Sequence, residues 1–141
     1  MSVTEELRSL GRENSVWKLT SSSAKLLAEE LGEADRPSVV LPMREVWVGG
    51  TRLPGMRPTV CLSEKKLLMV SHPGIFSSGK CQSWNRAGMV SISTYHDRVF
   101  EISMSDGQIV KMRGMIGEKR VEAMTERLYG AIKSAIEGSH A

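Results

Sequence analysis

The sequence predicts an α+β fold: a bent antiparallel β-barrel of about seven strands, capped by a long C-terminal helix and preceded by one or two short helices. Three observations predict it. Residues 38–116 break into short runs rich in β-branched and alternating side chains, punctuated by turn residues. Residues 117–137 carry one apolar stripe at helical spacing. Residues before Pro37 are patterned as helix instead. The expected division is an N-terminal helical extension over 1–37 and a β-rich domain over 38–141.

In chain order, residues 4–12 (TEELRSLGR) form a short helix candidate with no strong cap. Residues 21–32 are a clearer helix, with Leu26, Leu27 and Leu31 on one face. Ser22 or Ser23 is the expected cap, and Gly32 ends the helix where a left-handed residue is tolerated. Asp35-Arg36-Pro37 reads as a linker. Residues 39–49 (VVLPMREVWVG) predict a strand whose first part Pro42 demotes to an edge or a bulge.

Residues 49–58 (GGTRLPGMRP) read as a long basic loop. Thr59–Leu62 and Leu67–Val70 flank Ser63-Glu64-Lys65-Lys66, so they predict a hairpin. A loop over 72–79 leads into alternating residues 80–84, and residues 89–93 alternate again. Ser105-Asp106-Gly107 between apolar runs is the best turn in the chain, because glycine supplies the positive φ such hairpins need. Last, Val121, Met124, Leu128, Ile132 and Ile136 are spaced by 3, 4, 4 and 4 residues, which predicts a helix of about five turns. Its stripe has one natural role, which is to plug the open end of the barrel.

Composition narrows the function classes. A hydrophobic content of 40% and a charged content of 25% over 141 residues suit one folded domain. The formal charge is only +3, and the longest basic runs are two residues, Lys65-Lys66 and Lys119-Arg120, so nucleic acid is not the expected partner. The N-terminus lacks the apolar core of a signal peptide, and no apolar run approaches a membrane span, so a cytoplasmic location with reduced thiols is expected. Cys61 and Cys81 stand twenty residues apart and match no zinc spacing.

The stretch VCLSEKKLLMVS, a following loop that ends in Gly79-Lys80, and then RVFEISMSDGQIVKMRGM running into a long helix carry a resemblance. Residues 38–137 are similar to bacterial pleckstrin-homology-like (PH-like) domains. The long basic loop over 49–58 and the first 37 residues depart from that pattern. The resemblance implies a PH-like domain over 38–141 and a binding or adaptor role without catalysis. Fold alone does not choose the ligand.

Two motifs resemble catalytic ones. Gly74 to Lys80 has the spacing of a phosphate-binding loop, with Cys81 where a Ser or Thr is required. A helix should open there, yet residues 82–95 (QSWNRAGMVSISTY) carry no helical periodicity. Ser22-Ser23-Ala24-Lys25 fits SxxK without its partner motifs. His72, His96 and His140 form no metal or nucleophile pattern, and neither cofactor nor metal is expected.

A binding surface remains. Arg52, Arg57, Lys65, Lys66, Lys80 and Arg86 could gather at one open end of the barrel, with Ile75 and Phe76 at a loop tip. The expected partner is a protein or peptide. The alternative is an anionic lipid headgroup or phosphate ligand held by the basic loops. Oligomeric state is left open, with a homodimer as one option.

Overall fold

The computed structural model describes residues 2–12, 19–55, 57–72 and 79–139. Two helices come first, α1 (Val3–Arg12) and α2 (Ser21–Leu31). Thr20, not Ser22 or Ser23, caps α2, its hydroxyl accepting the Ser23 N–H at 3.2 Å. Gly32 ends that helix at φ 70°, as expected.

Among the described residues eight strands follow: β1 (Pro37–Val48), β2 (Thr51–Arg52), β3 (Thr59–Ser63), β4 (Lys66–Ser71), β5 (Lys80–Asn85), β6 (Met89–Ile92), β7 (Val99–Met104) and β8 (Ile109–Gly114). A 3-10 turn, Arg86–Gly88, joins β5 to β6, and α3 (Lys119–Ser139) is the last described element. Seven strands form one antiparallel curled half-barrel in the order β5-β4-β3-β1-β8-β7-β6, and the two-residue β2 pairs with β1. β5 and β6 are the two edges and do not pair with each other in that order. Across this seam, the Trp84 Nε1–H donates to Gln108 Oε1 at 3.1 Å. Both predicted hairpins are present, β3–β4 and β7–β8, the latter turning through Gly107 at φ 92°.

The strand carrying Pro42 is central rather than an edge. β1 pairs with β3 through its first half and with β8 through its second, with register shifts between Pro37 and Val39 and between Met43 and Glu45. The Met43 N–H donates to Pro58 O at 2.8 Å, and this alternation turns the Pro42 nitrogen away from β3. On its other side, pairing with β8 begins only at Met43. Proline therefore costs the ladder no hydrogen bond.

Alternation along these strands feeds two cores. Val39, Leu41, Val60, Leu62, Leu67 and Met69 face the inside of the curl, where Phe100, Ile102, Val110 and Met112 join them. Met124, Leu128, Ile132 and Ile136 of α3 pack into this inner core. The intervening residues Val40, Cys61, Leu68 and Val70 face outward and are covered by Leu7, Leu19, Ala24, Leu27 and Leu31. The N-terminal helices thus cover the outer face of the first half of the sheet and the inner core covers the other, so both faces are buried, which explains its unbroken apolar runs.

Asp35 is not a solvated linker residue. It is 2% exposed, and its carboxylate accepts the Ser63 hydroxyl at 2.7 Å and the Lys65 N–H at 3.2 Å. The segment after α2 is thereby fastened to the β3–β4 turn.

Candidate functional site

The basic residues singled out from the sequence fall into two groups. Lys65, Lys66 and Arg86 meet at the β3–β4 turn, where two of them are engaged in holding the fold. Lys66 Nζ donates to Glu30 O at 2.7 Å, placing a cation on the carbonyl end of α2. Arg86 donates a guanidinium N–H to Ser63 O at 2.9 Å. Arg52, Arg57 and Lys80 lie toward the opposite end of β4. Arg52 belongs to β2, inside what the sequence presents as a loop, and Lys80 is the first residue of β5 rather than part of a loop. These two share a cleft with Val48, Leu53, Ser71 and Gln82. Ile75 and Phe76 lie outside the described residues, as does most of the phosphate-loop lookalike. Its last two residues, Lys80 and Cys81, open a strand and not a helix.

The second half of the sheet differs from the first on its outer face. No helix of the described residues covers β8, β7 and β6 there; the outer core under α1 and α2 draws its strand residues from β1, β3, β4 and β5. Directly opposed residues form a row across the strands: Arg52, Trp47, Lys111 and Glu101. Lys111 Nζ lies 5.0 Å from the centre of the Trp47 ring and Arg113 Cζ lies 5.6 Å from it, both within cation–π range. Glu45 ties the patch together. Its two carboxylate oxygens accept Arg52 Nε at 3.2 Å and Arg113 at 3.0 Å. Ile109 is 47% exposed on the same sheet, and Val90 of the edge strand is 45% exposed.

Beside this row lies a groove of about 430 Å³, lined by Arg44, Glu45, Arg52, Arg57, Met115 and Ile116. Arg44 comes from the β1 bulge, and Arg57 from the loop before β3. Met115 and Ile116 come from the connection between β8 and α3. An adjoining hollow shares Arg57, Met115 and Ile116 and adds Pro42, Glu118 and Val121. Arg57 sits at φ 54°, a conformation uncommon for residues other than glycine.

Of these residues, the sequence reading found Arg52 and Arg57 and missed Arg44, Trp47, Lys111, Arg113, Met115 and Ile116. The alternation in residues 109–114 (IVKMRG) does place Lys111 and Arg113 on one face. Nothing local says that this face adjoins Trp47.

Elsewhere, Ser23 Oγ and His72 Nε2 lie 3.0 Å apart. Ser23 is 4% exposed, so the contact ties α2 to the end of β4. A Cβ on Gly79 would come within 2.6 Å of the His72 ring, so glycine there is what lets the ring seat. Burial raises both thiol pKa values, Cys81 from 9.0 to about 11 and Cys61 further still. Among the described residues, no three His, Cys, Asp or Glu side chains are grouped to hold an ion. No helix of the described residues is long and apolar enough to cross a membrane. No protein-family model matches this chain, and no curated protein matches it at a significant level.

Proposed function

We propose that the chain is a non-catalytic, PH-like binding module that recognises a protein or peptide partner through the outer face of its second half-sheet. The curled half-barrel with its C-terminal helix agrees with the resemblance of residues 38–137 to PH-like domains. One observation carries the binding reading. On a sheet whose outer face is helix-covered in its first half, the second half leaves Trp47 in a row that no helix of the described residues covers, flanked by Lys111 and Arg113. Tryptophan and arginine are the residue types that dominate protein-interface energetics, and the aliphatic Ile109 adds contact area.

A randomised peptide library displayed on phage tests this. The expected result is enrichment of a peptide family whose binding perturbs the amide resonances of Trp47, Lys111 and Arg113. Trp47→Ala should then weaken binding about tenfold or more, a loss of ~1.4 kcal/mol at least. A library that yields no enriched family, or peptides that bind Trp47→Ala undiminished, would refute the reading.

A further inference from the structure

We infer that the partner presents an acidic segment with a large apolar side chain, and that its carboxylates enter the groove between Arg44, Arg52 and Arg57 while the apolar group rests on Met115 and Ile116. The inference rests on the module reading above and gives it a ligand chemistry.

Charge is the first argument. Three guanidiniums from separate segments line one groove, and among the described residues the only carboxylate lining it is Glu45. Both Glu45 oxygens are already taken, by Arg52 and by Arg113. Among the described residues, Arg44 and Arg57 have no ion-pair partner. A guanidinium is a planar fork of donors that matches a carboxylate in two parallel hydrogen bonds.

Backbone conformation is the second. Arg57 holds φ 54° where glycine would sit without steric cost. A long cationic side chain at such a position points to a role for the side chain itself.

The apolar wall is the third. Ile116 is 47% exposed beside Met115, and the adjoining hollow continues along Pro42 and Val121 to Glu118. Glu118 repels a second acid at that end, so the acidic part of the partner lies on the arginine side and its apolar part on the α3 side.

A nucleic acid fits less well, because among the described residues no aromatic ring lines the groove to stack a base. A bilayer is the competing occupant, and binding confined to vesicles in the test below would select it.

Fluorescence anisotropy with a labelled peptide of interleaved aspartate and leucine tests the inference, with a lysine-for-aspartate peptide and phosphatidylserine vesicles as comparisons. The acidic peptide should bind, and more weakly as salt rises, while the lysine peptide should not. R44E and R57G should each lower its affinity about tenfold. R57G also relieves the left-handed position, so its melting temperature should not fall, which separates lost binding from lost folding. If the acidic peptide fails to bind, or binds R44E and R57G as it binds the parent, the inference is wrong. It is equally wrong if only vesicle binding responds to those variants. The phage selection keeps the two ideas apart. Enriched peptides without acids overturn this inference and leave the module standing, whereas no enriched peptides at all overturn both.

Discussion

The Cys81 thiol keeps its proton well above the ordinary range. Burial is the main cause and the nearby Glu30 carboxylate adds to it, against the opposing influence of Lys66; together they raise the pKa from 9.0 to about 11. An unfolded chain releases that proton near 9.0, whereas the native chain holds it until about 11. The unfolded state therefore binds fewer protons through this window. The contribution of Cys81 to stability is complete below pH 9.0 and is lost as pH rises toward about 11. Denaturation midpoints measured across that window should fall with pH, and Cys81→Ala should flatten part of the decline. Alkylation by iodoacetamide at pH 8 should be at least tenfold slower for native Cys81 than for the unfolded chain. Equal rates in the two states would contradict this account.

Among the elements, α3 and β8 come closest to a steric limit at Gly114. A Cβ built on Gly114 would lie 2.8 Å from Thr125 Cγ2 and 3.1 Å from its Oγ1. Thr125 is fully buried, and its hydroxyl donates to Val121 O at 2.9 Å within the helix. Gly114→Ala should cost about 1–3 kcal/mol by overpacking. Thr125→Ala in the same chain should restore part of it, a coupling that a double-mutant cycle in urea measures directly. Such local elements were the legible part of the fold. The stripe of α3, the Asp106-Gly107 hairpin and the Ser63–Lys66 turn are each specified by neighbours in sequence. What stayed hidden is non-local. That Trp47 faces Lys111 depends on a strand register set by the whole curl, and so does the meeting of Arg44 with Ile116. The cap of α2 is ambiguous in sequence for a similar reason: Thr20 can cap as well as either serine, and Ser23 pairs with the distant His72 instead.

At the scale of the molecule, burial is lopsided. The first half of the sheet is held between the inner core and the N-terminal helices, while the second half has α3 on its inner side and no helix of the described residues on its outer side. The unbroken apolar runs over 60–62 and 67–70 fit this two-sided burial, although no pattern in them says which helices lie outside. Leu27 of α2 is fully buried against the outer face. Leu27→Ala should destabilise the whole protein by about 2–5 kcal/mol in equilibrium denaturation; a negligible effect would mean that the helices are mere appendages. β1 runs through both halves, pairing with β3 along its first residues and with β8 along its last. Neither half can come apart without stripping a ladder from the other, so the shared strand acts as a clutch between them. Melting should accordingly be a single cooperative step, and a ligand held at Trp47 would protect Val40 at the far end of the same strand from hydrogen exchange.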